Sequence, residues 1–133
     1  MSVAAVVTVS VLDGPLPAHV PSALGEGVGA VVLFEGVVRG SEGDRTIDAL
    51  EYEVYEPMAS RELGLLASEL LATHGVLAMH VWHSCGRVPV GQCSFRLEVW
   101  SAHRVEGLRA TDEFIHRMKR DVPIWKRAVE SAG

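Results

Sequence analysis

Apolar and polar positions change period along the chain, and the changes mark out its elements. In the run Met1 to Leu12, MSVAAVVTVSVL, Val7, Val9 and Val11 alternate with Val6, Thr8 and Ser10, the period of a strand. Asp13 to Gly29 carries Pro15, Pro17 and Pro21 and reads as turn-rich, with a short helical turn near Ser22-Ala23-Leu24. Ala30 to Val38 is apolar throughout except for Glu35, the pattern of a central, buried strand. It ends at Arg39, and Gly40-Ser41-Glu42-Gly43-Asp44-Arg45 reads as a flexible turn into a second strand, Ile47 to Tyr55, antiparallel to the first. From Glu56 to about His74 the spacing of Met58, Leu63, Leu66, Leu70 and Leu71 is helical, with Gly75 as the stop. Val76 to Cys85 and Cys93 to Ser101 read as strands joined through Gly86, Pro89 and Gly91. Val105, Leu108, Ile115, Met118 and Val122 then recur at spacings of three, four or seven, one apolar face of a helix that Pro123 stops. The tail Ala128 to Gly133 is expected to be short and frayed.

Strands that flank single helices without strict alternation point to an α+β fold, a mostly antiparallel sheet with two main helices, rather than a doubly wound sheet. At 133 residues the chain is expected to form one domain, 1–133, with a single core. A net charge of -5 argues against nucleic acid or an anionic membrane surface as partner, so any basic character has to be local. The apolar start lacks a basic leader region, and no stretch of 18 apolar residues could span a bilayer, which together predict a cytoplasmic protein. Two cysteines, Cys85 and Cys93, without a CxxC spacing fit a reducing compartment and read as small buried thiols. His80, His83 and Cys85 raise the question of zinc, but the strand pleat splits the two histidines and no second ligand pair follows, so no metal is expected. The glycines of Gly25-Glu26-Gly27-Val28-Gly29 precede a strand, whereas a dinucleotide-binding loop follows one.

The chemistry concentrates in Trp100 to Arg127. This stretch holds both lysines of the chain, Lys119 and Lys126, against ten arginines elsewhere and within it. An ammonium can lose its proton in a dry pocket and a guanidinium does not, so two retained lysines suit acid, base or nucleophilic work. Scarcity alone favours compositional bias and two solvated charges; the surrounding pattern shifts the balance. Lys119 adjoins Met118 and follows Ile115 by four, at the border of the apolar face, where a partly buried stem and a partly desolvated ammonium are expected. His103 and Arg104 fall in the first turn of the same helix, where an imidazole, a guanidinium and the helix N-terminus together suit a phosphate. His103 reads equally well as a side chain capping a strand end.

Ser101-Ala102-His103-Arg104, a helix, and then K-x-x-x-P-x-W-K-R from Lys119 to Arg127 resemble the catalytic large subunit of molybdopterin synthase. The resemblance continues upstream through Phe34-Glu35-Gly36-Val37-Val38-Arg39, Leu50-Glu51-Tyr52-Glu53, Tyr55-Glu56-Pro57-Met58-Ala59 and His83 to Gly91, and so covers Gly29 to Arg127 in order. It implies a mostly antiparallel α/β hammerhead fold and a large-subunit homodimer within a heterotetramer. It also implies the activity: sulfur passes from the C-terminal Gly-Gly thiocarboxylate of a small ubiquitin-like sulfur-carrier subunit to cyclic pyranopterin monophosphate, forming the molybdopterin dithiolene, with no cofactor. On the same ground Lys119 and Lys126 carry the chemistry, Arg39, His103 and Arg104 surround the anionic substrate, and Phe34 and Met118 line the pocket. Trp125 is expected to serve core packing. Where the family often has an acidic residue this chain has Ala128, where it commonly has Arg it has Ser84, and it ends at Gly133, so that contacts from a longer tail are expected to be either missing or replaced, with Glu130 as the candidate. Two other readings stay open: a non-catalytic docking or scaffold module for a ubiquitin-like partner, and a domain that binds another phosphorylated metabolite through Arg39, His103 and Arg104.

Overall fold

The computed structural model describes residues 6–132, so the part of the expected first strand that falls on residues 1–5 lies outside the described residues. The elements in chain order are β1 (Val6–Asp13), β2 (Ala30–Val37), β3 (Ser41–Glu42), β4 (Arg45–Val54), α1 (Met58–His74), β5 (Ala78–Pro89), β6 (Cys93–Ser101), α2 (Arg104–Asp121) and β7 (Ile124–Glu130). The α+β architecture and both helices agree with the periodicity. Gly75 ends α1 in the left-handed conformation, φ 68°, with its N–H on the Leu71 carbonyl, as a glycine stop should.

The sheet is antiparallel except where β1 runs parallel to β5. Strand β5 is shared between two parts of it. Its residues 78–83 lie between β6 and β1, and its residues 86–89 pair with β4, which in turn pairs with β7. Gly86 sits between the two parts at φ 79°, a left-handed conformation that strains any residue with a side chain, and a Cβ there would also push aside the Asp13 carboxylate, 2.6 Å away. Both helices cover one face of the sheet over a core built on Leu63, Leu70, Met79, Val81, Leu97 and Phe114. A smaller cluster of Val38, Ile47, Leu50 and Val88 lies apart from it. Helix α2 comes close to β2 and β6 because residue 107 is glycine: a Cβ there would stand 2.7 Å from Ser101 Oγ.

Four expectations are corrected. Strand β2 is an edge strand paired only with β6, and Val31, Leu33 and Val37 are exposed, so its apolarity does not report a central position. It does not pair with β4: residues 41–46 form their own small hairpin of β3 and β4, and β4 turns instead to β5 and β7. Residues 22–24 are not helical. The irregular segment 14–29, with bends at 14–15 and a turn at 26–27, is held against β6 by Arg96 Nη2 donating to the Pro17 carbonyl at 2.8 Å and by His19 against Glu98 at 2.9 Å. Finally, the expected frayed tail is strand as far as Glu130, because β4 offers it a full ladder from Ile47 to Val54.

Candidate functional site

The end of β2, the last turn of α2 and β7 meet around a cavity of about 520 Å³. Each brings its residues there for a local reason. Where β2 leaves the sheet, Phe34 and Arg39 reach the rim; Pro123 stops α2 just after Met118 and Lys119; and pairing of Tyr52 with Lys126 sets the register that brings Lys126 to the same opening. Five of the seven residues singled out in the sequence, Phe34, Arg39, Met118, Lys119 and Lys126, therefore line one cavity. The cations Arg39, Lys119 and Lys126 face one carboxylate, Glu42, which makes this a locally basic spot on an acidic chain. Lys126 Nζ is 3.4 Å from Glu42 Oε1, while Arg39 and Lys119 pair with no carboxylate among the described residues. Such a site fits an anion.

The floor is aromatic and polar and was not singled out beforehand. Tyr52, His83, Ser94 and Phe95 form it. Tyr52 shares a hydrogen bond of 2.9 Å with Ser94 Oγ and meets the His83 ring edge-on at 5.3 Å. His83 is buried, and its Nδ1 lies 2.7 Å from the Ser84 carbonyl oxygen. Burial pulls the His83 imidazole below its ordinary value, against the weaker opposing pull of that hydrogen bond. Phe95 lies 6.0 Å from Phe34 and stacks on Phe114 at 6.3 Å, tying the floor to the core. One signal for His83 was present in the chain: it shares the strand parity of Met79 and Val81, and an imidazole on a core-facing parity needs a reason.

Other expectations fail at the site. Lys119 is exposed rather than partly buried, because it stands one residue beyond Met118 on the helix and turns outward. Trp125 is also exposed and rests edge-on against Tyr55 at 4.9 Å instead of joining the core. His103 and Arg104 do not join Arg39. They stand at the opposite end of α2, an 18-residue helix and so about 27 Å long at 1.5 Å per residue. Both are exposed, and the His103 side chain caps nothing; its Nδ1 lies 3.6 Å from Glu106.

His80 and His83 fall on opposite faces of β5, His80 bonding Thr8 Oγ1 at 2.7 Å, and no group of three metal-ligating side chains occurs among the described residues. Neither cysteine is fully buried. Cys93 points its thiol at the Phe95 carbonyl, 3.3 Å, and at Glu35, 3.6 Å, and burial pushes that thiol up. No described helix is long and apolar enough to cross a membrane.

Residues 15–121 match the family described as MoaE protein. The chain is 38% identical over 105 residues to the molybdopterin synthase catalytic subunit of Arabidopsis thaliana, covering 79% of this chain and 53% of that protein. A similar relative is the subunit of the same name from Homo sapiens, 38% identical over 101 residues, 76% of this chain and 54% of that protein. The chain thus spans about half the length of the curated relatives it matches. Among solved structures, molybdopterin synthase from Staphylococcus aureus superposes with a TM-score of 0.81 at 29% identity, covering 93% of this chain and 92% of that one. A complex of subunits 1 and 2 of molybdopterin-converting factor from Helicobacter pylori contains a chain of the same fold, with a TM-score of 0.71 at 22% identity over 92% of this chain and 89% of that one.

Proposed function

The chain belongs to the MoaE protein family, and from that premise we propose that it is the catalytic subunit of a molybdopterin synthase acting in the cytoplasm. Its substrate is cyclic pyranopterin monophosphate, and its sulfur donor is the thiocarboxylate at the Gly-Gly end of a small ubiquitin-like subunit. The observation that carries this reading is the convergence of Phe34, Arg39, Met118, Lys119 and Lys126 on one cavity from three separate elements. Phe34 and Met118 offer flat and soft apolar surface to a pterin ring. Arg39 meets the anionic end of the substrate, and Lys119 and Lys126 stand beside the carbon that receives sulfur. Lys119 is exposed in the single chain, so its desolvation falls to the incoming tail, whose two glycines have no side chains to keep it out of a narrow site.

His103 and Arg104 belong to the same reading only through a second copy of the chain. Each is about a helix length from Arg39 of its own chain, so one phosphate cannot touch all three within a single chain. A two-fold dimer that joins β2 edges in antiparallel fashion resolves the distance. In it the N-terminus of α2 in one copy lies near the C-terminus of α2 in the other, because α2 runs alongside β2. The exposed Val31, Leu33 and Val37 of that edge supply apolar surface for the contact.

The test is direct. The chain is mixed with thiocarboxylated small subunit and cyclic pyranopterin monophosphate, and the dithiolene product is measured. Product at catalytic yield is expected. A stable complex with the small subunit that never yields product would favour the docking-module reading instead.

A further inference from the structure

The buried histidine in the cavity floor has no part in the function as stated so far. Met79, Val81 and His83 share one face of β5, the first two within the core and the third where the core gives way to the cavity. The Ser84 carbonyl can only accept, so the hydrogen at 2.7 Å sits on His83 Nδ1. In the neutral ring that burial favours, Nε2 then keeps a lone pair. Nε2 makes no hydrogen bond among the described residues, and it is not among their sealed, partnerless polar atoms, which are His80 Nε2 and Ser84 Oγ. The lone pair is therefore open to the cavity. Tyr52, itself held by Ser94, and Phe95 at 5.8 Å fix the plane of the ring.

Sulfur transfer calls for such a group. A thiocarboxylate that attacks a substrate carbon through its sulfur displaces an oxygen from that carbon, which departs with the carbon–oxygen electron pair, and becomes an acyl–sulfur link between tail and pterin. Releasing the tail as a carboxylate requires an oxygen atom to enter at the acyl carbon, and water supplies it. We propose that His83 is the general base for this water, an inference that rests on the function proposed above. Nε2 takes a proton from water as the oxygen bonds to the acyl carbon; the acyl carbon–sulfur bond then breaks, sulfur leaves with the pterin as a thiolate, the imidazolium returns its proton to that sulfur, and the new carboxyl group releases the second proton of the water to solvent. No electrons are gained or lost. The charged and titratable groups around the ring fit the role: Arg39, Lys119 and Lys126 face the cavity from the turn after β2, from α2 and from β7, Glu42 of β3 is engaged by Lys126, and the Tyr52 hydroxyl of β4 by Ser94. Burial disfavours a charged ring in the resting site, and the cations stabilise the oxyanion that forms. An ammonium or guanidinium has only donors, so none of the three can take the proton while charged.

His83→Asn keeps a donor for the Ser84 carbonyl and removes the lone pair, and His83→Gln places at Nε2 an amide that takes up no proton. In single turnovers with thiocarboxylated small subunit and cyclic pyranopterin monophosphate, both variants should accumulate the covalent adduct of tail and pterin, seen by mass spectrometry. Its breakdown should slow by about 10²- to 10⁴-fold, and the fall in rate at acidic pH expected of the unsubstituted protein should be absent from both variants. Adduct breakdown at the unsubstituted rate, or an acidic limb retained in His83→Asn, would overturn the assignment. Should neither variant fold, nitrogen NMR of the unsubstituted protein decides: a hydrogen on Nδ1 and a bare Nε2 support the role, and a hydrogen on Nε2 overturns it. An unsubstituted protein that forms neither adduct nor dithiolene overturns the function itself, and the role of His83 with it.

Discussion

Lys126 Nζ stands 3.4 Å from Glu42 Oε1, so the one carboxylate lining the cavity is held by one of its three cations. The pair joins the small β3–β4 hairpin to β7 across the opening. Both side chains are partly exposed, and such a pair contributes about 0–1 kcal/mol to stability. Glu42→Gln should therefore leave Tm nearly unchanged and raise the positive potential of the site. Calorimetry at low ionic strength should show cyclic pyranopterin monophosphate binding several-fold more tightly, and the gain should fade in high salt as screening sets in. Unchanged affinity at low salt would contradict this.

Lys119→Ala should remove most turnover, on the order of 10²- to 10⁴-fold if the amine acts in proton transfer. Because Lys119 is exposed and pairs with no carboxylate among the described residues, Tm should not move. Lys126→Ala should behave similarly with a smaller loss. Normal dithiolene formation by Lys119→Ala would remove this lysine from the chemistry.

The second copy of the chain is tested by mixing inactive variants. Arg39→Ala and Arg104→Ala should each weaken pterin binding by about 1.5–3 kcal/mol, the value of a charge-assisted contact. Where the two arginines of a site come from different copies, a mixed dimer of the two variants carries one site with both arginines intact. Random exchange then restores roughly one site in four of a symmetric dimer. Activity of the mixture no higher than that of the separate variants would place both arginines in the same chain's site or outside it.

Stability should fall with acid in two stages. Burial lowers the His80 and His83 imidazoles below their ordinary value near 6.5. Between those lowered values and 6.5 the unfolded chain binds more protons than the folded one, so stability declines as pH drops through 6.5 toward them. The Glu35 carboxyl is held below its ordinary 4.5, chiefly by its hydrogen bond from Arg96. Its contribution is present above 4.5 and is lost as pH falls through the lowered value. Melting curves from pH 8 to pH 3 should show both declines, and His80→Gln should flatten the first. A Tm that stays level from pH 7 to 5 would refute the histidine stage.

Replacing Cys85 and Cys93 together with Ala should leave sulfur transfer intact. Cys93 is engaged with Glu35 and the Phe95 carbonyl and its thiol is pushed up, the reverse of a reactive thiolate. Loss of dithiolene in a folded double variant would show that a cysteine of this chain carries the sulfur.

Much of this was legible in the chain because periodicity reports local environment. Leu63, Leu66 and Leu70 marked the buried face of α1, and Phe34, Arg39, Met118, Lys119 and Lys126 were found together because matching motifs lie in fixed order. Neighbours in space were less legible. The apolar run of β2 reads alike whether a strand lies at the centre of a sheet or at an edge awaiting a partner surface, which is why Val31 and Leu33 were misplaced. Strand β7 was missed because Lys126, Arg127 and Glu130 give it a polar face, and its pairing partner β4 lies far back in the sequence. His83 was weighed only as a zinc ligand and not placed in the site for a similar reason: its chemistry comes from Ser84, Tyr52 and a cavity wall, and periodicity shows only that it alternates.

The pairing of β7 with β4 also sets a schedule for the newly made protein. Ile47 waits for Glu130 and Val54 for Ile124, and β1 likewise waits for β5. Closing such long loops is slow compared with forming α1 or the β5–β6 hairpin. During synthesis, then, α1 can form on the ribosome while the third wall of the cavity is still in the exit tunnel. Lys126 reaches Arg39 and Lys119 only after β7 has docked, so a nascent chain short of Ile124 lacks both one wall of the cavity and one of its three cations.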